Sequence, residues 1–359
     1  MYQTQPKILV TGGAGFIGSH AVLALKQAGY DVIILDNLIY GHRDIVENEL
    51  QVEMIIGDIR DRNLLNRLFK THQIDAVMHF AAYAYVGESV FDPNKYYDNN
   101  VVGTLTLLDA MLRASVKKIV FSSTCAIYGV PQDLPICEDS PHNPINPYGA
   151  SKLTVERILS DFHAAYELNS VCLRYFNAAG ASPTGYLGED HTPETHLIPL
   201  VLLTALGKHE FVPIFGTDYL TSDGTCIRDY IHVCDLASAH VLALEYLLQG
   251  GKIEVFNLGN GNGFSIKEII NTATAVTGHT IKTVDYARRP GDPPILVGSA
   301  EKAKRILGWH PQYPNLKEIV AHAWQWHQRR QGSSFLTKLP NPTKHYERSY
   351  AALAQQVGR

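Results

Sequence analysis

The chain has 359 residues, of which 45% are hydrophobic and 18% are charged, and it carries a formal net charge of −4 at pH 7. This length allows two domains or one large one, and the charge gives no electrostatic reason to expect nucleic acid or an anionic membrane as a partner. The longest apolar runs, such as residues 198–206, fall far short of the roughly 20 residues that span a bilayer. No apolar segment typical of a signal peptide precedes the first predicted strand. These features predict a cytoplasmic protein.

The first half of the chain alternates apolar runs with helical patterns. Strands are predicted at residues 7–11, 31–36, 52–58, 76–82 and 117–123. Helices are predicted at residues 16–28, 61–72, 94–115 and 147–167. The predicted strands are apolar almost throughout, as is expected of a parallel sheet that is covered on both faces. The fold class is therefore predicted to be α/β, with a doubly wound parallel sheet of the Rossmann type.

The composition and the patterning of the sequence change after Asn177. The stretch that follows is rich in Gly and Pro, and the helical and strand patterns beyond it are less regular. We predict a Rossmann domain at residues 1–177, to which parts of 228–260 return, and a smaller C-terminal domain, mainly substrate-binding, at 178–330. Residues 331–359 form an appended tail whose role the sequence does not indicate.

A glycine-rich loop joins the first predicted strand to the first predicted helix. Gly12, Gly15 and Gly18 form a G-x-x-G-x-x-G pattern there. Glycines let the backbone turn tightly and approach a pyrophosphate, and the helix N-terminus offers free N–H groups and a positive dipole end. Asp36 ends the second strand, where a carboxylate accepts hydrogen bonds from the adenosine ribose and repels a 2′-phosphate. The pattern predicts NAD rather than NADP; the alternative is that Asp36 merely terminates a strand.

Neither the histidines nor the cysteines show a metal-binding spacing. The 16 histidines include no HExxH motif and no Cys/His cluster with zinc spacing, so no metal is expected. Five cysteines without a CxxC motif indicate small buried side chains in a reducing compartment.

A tyrosine and a lysine stand four residues apart at the start of the helix predicted at 147–167. On a helix, Tyr148 and Lys152 project from one face. A tyrosine has an ordinary pKa of about 10, too high for a base at neutral pH. A neighbouring ammonium group and a nicotinamide cation both favour the phenolate, so the pair is interpreted as a general base. Thr124, beside the strand predicted at 117–123, can hydrogen-bond the same substrate oxygen. The alternative is a surface Tyr–Lys pair on an amphipathic helix.

A series of motifs over about residues 7–330 resembles the extended short-chain dehydrogenase/reductase family, and in particular its UDP-hexose 4-epimerases. In chain order the motifs are TGGAGFIGSH, LDNL, GDIRD, HFAA, VGES, YYDNNV, FSST, YGASK, RYFNAAGA, GTDYLTSDGTCIRDYIHV, FNLGNG and RRPGDP. An ordered series of this kind is far more specific than any one of its members.

The resemblance implies NAD-dependent epimerisation at C4 of a UDP-hexose, from UDP-galactose to UDP-glucose. In the family, the tyrosine matched by Tyr148 takes the proton of the sugar 4-hydroxyl, a hydride passes from C4 to NAD+, the 4-keto sugar rotates, and the hydride returns to the opposite face. Lys152 matches the lysine that holds the nicotinamide ribose, and Thr124 matches the hydroxyl near the 4-oxygen. Family members are usually homodimers, which implies pairing through the helices predicted at 94–115 and 147–167.

The resemblance also implies a set of contacts for each ligand. The implied NAD contacts are Gly12, Gly15, Phe16, Ile17, Gly18, Asp36, Asn37, Asp58, Ile59, Phe80, Ala81, Asn99, Lys152 and Tyr175. The implied UDP-sugar contacts are Thr124, Asn177, His196, Leu197, Phe215, Arg228, Arg289, Asp292 and Leu296.

Some of these residues have a specific expected role. Arg228 and Arg289 match diphosphate-binding arginines, a task that suits the guanidinium fork. Phe215 matches a residue near uracil, and Asp292 one near the uridine ribose. For Arg228, the alternative is a surface ion pair with Asp229.

Asp58, at the end of the third predicted strand, has two interpretations. Its carboxylate either meets the adenine edge or caps the helix predicted at 61–72.

Three positions depart from the pattern of the family. Ala84 stands where some members carry a cofactor-contacting lysine, and His196 stands where others carry an asparagine near the substrate phosphates. Leu296 occupies the position that limits the space beside the sugar 2-substituent. A leucine there is intermediate between an excluding tyrosine and a small residue. UDP-N-acetylglucosamine therefore remains an alternative substrate, and 4-epimerisation of UDP-xylose and UDP-arabinose is a further alternative.

Other functions on the same fold are weighed by the residues beside Thr124. Nucleotide-sugar dehydratases need acids after the threonine, and related decarboxylases tend to carry one, whereas Cys125 and Ala126 follow here. A non-catalytic NAD-binding regulator usually loses the Tyr or the Lys, and both are present. An NADP reductase is disfavoured by Asp36 and by the two arginines.

Overall fold

The computed structural model describes residues 5–289 and 292–332. Apart from residues 331 and 332, which end the last helix, the predicted tail lies outside the described residues. Within these ranges the strands are β1 (Lys7–Thr11), β2 (Asp31–Asp36), β3 (Glu53–Ile56), β4 (Ala76–His79), β5 (Lys118–Thr124), β6 (Asn169–Tyr175), β7 (Asn177–Ala179), β8 (Val212–Phe215), β9 (Ile227–His232), β10 (Glu254–Leu258), β11 (Gly263–Ser265), β12 (Thr283–Tyr286) and β13 (Ile295–Leu296). The α-helices are α1 (Phe16–Gln27), α2 (Arg43–Ile45), α3 (Arg62–Thr71), α4 (Val86–Phe91), α5 (Pro93–Tyr96), α6 (Gly103–Arg113), α7 (Pro147–Tyr166), α8 (Leu197–Ala205), α9 (Val233–Leu248), α10 (Ile266–Thr277), α11 (Glu301–Leu307) and α12 (Leu316–Gly332).

Seven parallel strands form the main sheet, in the order β10-β6-β5-β4-β1-β2-β3. Every neighbouring pair in this sheet is parallel. The chain moves outward from β1 through β2 to β3 and then returns to the other side at β4. The predicted α/β class with a doubly wound parallel sheet is therefore confirmed. The strand order reverses between β1 and β4, and ligands of such sheets bind at the carboxyl edge of this switch point.

Apolar side chains cover both faces of the sheet, which explains why its strands lack alternation. Ile8 and Ile34 belong to the core cluster that includes α1 and α9. Leu9 and Ile33, one residue away in each strand, belong to the cluster that includes α3, α6 and α7. Successive strand residues point to opposite faces, so each strand serves two cores at once.

The predicted bounds of the first two strands match the structure, while later bounds differ for local reasons. The fourth strand was predicted to reach residue 82 but ends at His79, because the backbone N–H groups of Phe80 and Ala81 both donate to the Thr11 carbonyl. This contact turns the chain toward the glycine loop.

The helix predicted at 94–115 is not continuous. A π-helical turn at Tyr97–Val102 separates α5 from α6. Asn100 lies in this turn, where its side-chain amide donates to the Tyr83 carbonyl and accepts from the Tyr83 N–H. Turns of this type are frequent at functional sites, and this one ties the helix to the loop after β4.

The remaining strands lie beside the carboxyl edge of the main sheet. Strand β9 pairs with β7, β11 and β13, and β8 pairs with β12. A third core cluster joins β7, β8, β9 and β11 to α8, α10 and α12. The predicted division into two domains stays a prediction. Within the described ranges, no helix combines the length and the apolar character that crossing a membrane requires.

We expect His240 to make folding sensitive to mild acid. His240 lies on α9, has no exposed surface, and donates from Nδ1 to the Leu236 carbonyl at 2.8 Å. Burial lowers its pKa from 6.5 to about 4. Because the unfolded chain binds this proton below about pH 6.5 and the folded chain does not, stability falls as pH decreases from 6.5 toward 4. Each pH unit costs up to about 1.4 kcal/mol.

The test compares wild type with His240→Leu by urea unfolding at pH 7.5, 6 and 5. The stability difference between the two proteins should shift in favour of the variant by about 1–2 kcal/mol over this range, while other titrating groups cancel. His310 is exposed, and His310→Gln serves as the control for loss of a histidine outside the core. A constant difference for His240→Leu would show that His240 binds its proton equally in the folded and the unfolded chain.

Candidate active site

A cleft opens at the switch point between β1 and β4. It encloses about 1190 Å³, including space open to solvent. The predicted site residues that line it are Gly12, Gly15, Phe16, Ile17, Gly18, Asp36, Asn37, Ile59, Phe80, Ala81, Asn99, Tyr148, Lys152, Tyr175 and His196. The structure thus brings the glycine loop and the Tyr–Lys pair into one cleft.

The glycine loop packs too closely for side chains at two positions. Gly12 has φ +74°, and a Cβ there would lie 2.6 Å from the Ala81 nitrogen. A Cβ on Gly18 would lie 2.1 Å from the Gly12 carbonyl oxygen. Helix α1 begins directly after this loop, at Phe16. The loop and the helix N-terminus therefore form a backbone cradle that fits a pyrophosphate.

Asp36 is held in place by the same loop. Its Oδ2 accepts from the Ala14 N–H at 3.0 Å, and its Oδ1 accepts from the Leu38 N–H at 2.8 Å. Burial raises the pKa of this carboxyl, and the two N–H groups oppose the rise. A fixed carboxylate at the end of β2 is the arrangement that binds ribose hydroxyls.

Asp58 does not line the cleft. The Arg60 side chain donates to both of its carboxylate oxygens at 2.8 Å, and these bonds lower the pKa of Asp58 to about 2. The expectation that Asp58 caps the following helix is wrong, because Asp61 accepts from the N–H groups of Asn63 and Leu64. The adenine role of Asp58 stays a prediction.

The Tyr148–Lys152 pair lies on the first turns of α7. Pro147 opens the helix, and Asn146 caps it by accepting from the Gly149 N–H at 2.8 Å. Lys152 is buried, its Nζ donates to the Ser122 carbonyl at 2.7 Å, and it lies 4.8 Å from the Phe121 ring centre. Burial lowers the pKa of Lys152 to about 7, although the Glu156 carboxylate opposes this.

The chain alone does not lower the pKa of Tyr148, contrary to the reasoning from sequence. Burial raises the pKa of Tyr148 to about 12, and the hydrogen bond with Thr124 offsets only part of that rise. Burial disfavours the phenolate, and Lys152 directs its Nζ to a backbone carbonyl. A ligand that brings positive charge into the cleft is required to make Tyr148 an effective base.

A buried ion pair fixes α7 against the sheet. Glu156 lies one turn beyond Lys152, and Arg174 of β6 donates to both of its oxygens, at 3.0 Å from Nε and 2.6 Å from Nη2. Ser123 of β5 donates to the same carboxylate at 2.5 Å. Both charged side chains are buried. Residues of two strands therefore set the position of the helix that carries Tyr148.

The two arginines predicted to bind the substrate lie outside the lining of this cleft. Each contacts another residue that was predicted to bind the substrate. Arg228 donates from Nη2 to Asp292 Oδ1 at 2.5 Å. The guanidinium of Arg289 lies 4.2 Å from the Phe215 ring centre. The alternative of a surface Arg228–Asp229 pair is wrong, because Arg228 is buried and Asp229 accepts from backbone N–H groups.

The segment after β5 lies near both Arg228 and Tyr148. Cys125 follows Thr124, and its thiol interacts electrostatically with both Arg228 and Tyr148. Burial raises the pKa of Cys125 to about 12, so it is a neutral thiol at neutral pH. Arg228 and Tyr148 therefore both lie within electrostatic range of the same thiol.

The other predicted substrate residues lie around β9 and α8. Asn177 begins β7 and is paired with Tyr230 of β9, and Leu296 is paired with Arg228. Leu197 is the first residue of α8, and His196 precedes it. Four of the predicted substrate residues do not line the described cleft: Thr124, Asn177, Leu197 and Leu296. Their roles stay predictions.

Sequence reasoning missed an aromatic group in the cleft. Tyr40 lies 5.8 Å from Tyr83 and 5.1 Å from Tyr85, ring centre to ring centre, with edge-on geometry. All three line the cleft, as do Ser122 and His191. Tyr40 follows β2 and the other two follow β4, so the rule that ligands bind at strand carboxyl ends could have identified them.

Comparison with known proteins places these features in a family. A model of the NAD dependent epimerase/dehydratase family matches residues 8–259, more than half of the chain. The UDP-glucose 4-epimerase of Halalkalibacterium halodurans is 58% identical over 320 residues, covering 89% of this chain and 95% of that protein.

Solved structures of UDP-glucose 4-epimerases are also similar to this chain. The UDP-glucose 4-epimerase from Brucella ovis in complex with NAD is 49% identical with a TM-score of 0.86, covering 89% of this chain and 97% of that one. The enzyme from Bifidobacterium longum in complex with NAD+ and UDP is 42% identical with a TM-score of 0.87, covering 91% and 100%. The chain belongs to the NAD-dependent epimerase/dehydratase family.

Proposed function

We propose that the protein is an NAD-dependent UDP-hexose 4-epimerase that interconverts UDP-galactose and UDP-glucose. The observation that carries this proposal is the meeting of Tyr148 and Lys152 with the Gly12–Gly18 cradle in one cleft. The same reaction is named for relatives that are aligned over nearly the whole of their length.

The chain's own residues would hold the cofactor in an extended orientation. The loop from Gly12 to Gly18 would bind the pyrophosphate, Asp36 the adenosine ribose, and Lys152 the nicotinamide ribose. When bound, NAD supplies a hydride acceptor and donor for C4 of the sugar, and its oxidised ring adds a positive charge. Tyr175, which is hydrogen-bonded to Ser122 in the lining of the cleft, would lie beside the nicotinamide.

Tyr148 would move the proton. Its oxygen is held by Thr124, so the two hydroxyl groups can share the substrate 4-oxygen. The sugar 4-hydroxyl loses its proton to Tyr148 as the hydride leaves C4, and Tyr148 returns the proton when the hydride comes back. Protons and electrons balance over the cycle, so no external oxidant is required.

The UDP moiety would bind beside the cleft, against β8 and β9. Arg228 and Arg289 would face the diphosphate, where guanidinium groups bind bidentately. Phe215 would stack on uracil, and Asp292, already paired with Arg228, would accept from the uridine ribose. His196 would also contact the substrate phosphates. Anchoring of this kind leaves the sugar free to turn either face of its C4 toward the nicotinamide.

The deciding experiment follows UDP-galactose by NMR with purified protein and no added cofactor. Conversion to an equilibrium mixture with UDP-glucose supports both the epimerase and a retained, regenerated NAD. No conversion, even after NAD+ is added, would overturn the hexose assignment. Stoichiometric NAD in that inactive protein would instead favour a non-catalytic NAD-binding role.

The choice of sugar 2-substituent depends on Leu296 in this proposal. We expect Leu296→Tyr to reduce any turnover of UDP-N-acetylglucosamine at least about tenfold, because a steric clash of this size costs more than 1.4 kcal/mol. Turnover of UDP-galactose should change little. Parallel kcat/KM measurements on the two sugars, with Leu296→Ile as the size-conserving control, test this. An unchanged ratio would show that Leu296 does not limit the pocket, and UDP-xylose is the next sugar to compare.

We also infer a homodimer in the cytoplasm. Tyr97, Val102 and Leu105 expose apolar surface along the helical segment at 93–113, and Tyr166 does so on α7. A second copy of the chain would cover this surface. The five cysteines are free, which fits a reducing compartment. Light scattering of wild type and Leu105→Glu tests the interface: a dimeric wild type and a monomeric variant are expected.

A further inference from the structure

We infer that the chain contains a divalent metal site formed by Glu189, His191, Glu194 and His196. Each of these residues directs one potential ligand atom into a common space, and these atoms all lie within 4.8 Å of one another. The group lies between β7 and α8, at the edge of the cleft that His191 and His196 line. It plays no part in the hydride and proton transfers proposed above, and His196 would give Nδ1 to the ion while Nε2 remains for the substrate phosphates.

Two spacings between ligand atoms are close to those of a tetrahedral ion, whereas His196 Nδ1 and Glu189 Oε1 are in direct hydrogen-bond contact and would separate when an ion binds. His191 Nδ1 lies 3.2 Å from Glu189 Oε1 and 3.8 Å from Glu194 Oε1. Zinc–nitrogen and zinc–oxygen bonds of about 2.0–2.2 Å place neighbouring ligands of a tetrahedron about 3.4 Å apart. The observed distances lie on either side of this value. Two imidazoles and two carboxylates are a ligand set that zinc accepts.

The state of the His191 ring points to a ligand. Its Nδ1 is buried, and among the described residues no hydrogen bond of acceptable geometry satisfies it. It nevertheless faces two carboxylates. A neutral His191 ring that turned its Nδ1 lone pair toward these oxygens would be satisfied by a bound cation, whereas an imidazolium ring would donate to Glu189 Oε1 at 3.2 Å. His196 Nδ1 also contacts Glu189 Oε1 closely.

The charge of the group also calls for a cation. Glu189 and Glu194 are both buried, and two buried carboxylates require compensation. One divalent ion with two neutral imidazoles supplies a charge of +2. The competing arrangement, two imidazolium ions paired with the carboxylates, supplies the same charge without a metal. The experiment below distinguishes the two.

The surrounding structure holds the ligands in place before any ion binds. Glu194 Oε1 accepts from the N–H groups of Thr195 and His196 at 2.7 and 2.9 Å. The Glu189 carbonyl accepts from Trp326 Nε1 at 2.9 Å. Fixed carboxylates of this kind are typical of the surroundings of metal sites.

Four protein ligands make a closed site, which indicates a structural role. The ion would cross-link the segment Glu189–His196, which forms one wall of the cleft and leads into α8. This role does not depend on the identity of the sugar or on epimerase activity. The sequence signal was E-x-H-x-x-E-x-H, a spacing outside the usual zinc motifs.

The test measures zinc in full-length, tag-free protein by mass spectrometry after incubation with ZnCl2 and gel filtration. We expect about one zinc per chain in wild type and at least about tenfold less in His191→Gln and His196→Gln. His310→Gln, which replaces an exposed histidine outside the group, should match wild type. NAD content and circular dichroism report whether each variant folds.

Two results would overturn the site. One is wild type that retains no zinc after loading, which would favour the imidazolium arrangement. The other is equal zinc in wild type and in both histidine variants. If the variants fail to fold, Co2+ replaces Zn2+ in wild type: intense visible bands of tetrahedral Co2+ support the site, and their absence contradicts it. Epimerase activity does not enter this readout, so the metal site and the proposed reaction can fail independently.

Discussion

Replacing Tyr148 with phenylalanine should lower the turnover of UDP-galactose by about 10²–10⁴-fold while NAD remains bound. The substitution removes only the phenol oxygen, so the proton of the sugar 4-hydroxyl loses its acceptor. The aromatic ring stays and continues to fill its place in α7. Turnover is measured by NMR or chromatography of the two UDP-sugars, and bound NAD by absorbance after denaturation.

The pattern of loss identifies the role of Tyr148. Because the interaction acts in the transition state, kcat should fall far more than KM rises. Tyr246→Phe is a matched control, since Tyr246 lies on α9 and does not line the cleft. Its kcat should stay within a few-fold of wild type. If Tyr148→Phe turns over nearly as fast as wild type, another group accepts the proton and Tyr148 leaves the mechanism.

The main sheet was predictable because its strands carry their own signal. Buried strands of a parallel sheet read as short apolar runs, and β1 and β2 were placed to the residue. The end of β4 was not, because Thr11 accepts from both Phe80 and Ala81, a contact between segments about seventy residues apart in sequence. No local pattern encodes such a contact.

The candidate site also has parts that were predictable from the sequence and parts that were not. The glycine loop and the Tyr148–Lys152 pair are local motifs with a fixed spacing, so the sequence located them. The raised pKa of Tyr148 depends on burial by the folded chain, which spacing does not report. The sequence offered the neighbouring Asp229 only as an alternative partner of Arg228, and it did not indicate the observed partner, Asp292, which lies 64 residues away in the chain.

The buried Arg174–Glu156 pair is expected to be the ion pair on which the stability of α7 depends most. Arg174→Met should lower the free energy of unfolding by about 3–5 kcal/mol, because it leaves the Glu156 carboxylate buried without its counter-charge. It also removes the donor to Tyr128 and to the Glu138 carbonyl. Urea unfolding of the NAD-bound protein measures the loss.

An exposed pair provides the control for this prediction. The side chains of Lys282 and Glu210 are 61% and 71% exposed and lie 2.9 Å apart. Lys282→Met should cost no more than about 1 kcal/mol, because solvent screens such pairs. A similar small loss for Arg174→Met would show that the buried pair does not hold α7.

A double variant separates stability from positioning. In Arg174→Met/Glu156→Leu both charges are gone, and apolar replacements of a buried pair often recover much of the stability. If the pair positions Tyr148 by fixing α7, the double variant regains stability while kcat stays low, since Ser123 and Arg174 no longer hold the helix. Recovery of both stability and kcat would show that apolar packing alone orients α7. Glu156 also raises the pKa of Lys152. In the double variant, Lys152 should therefore lose its proton at a lower pH than in wild type. A pair that served only to stabilise α7 would not require this change.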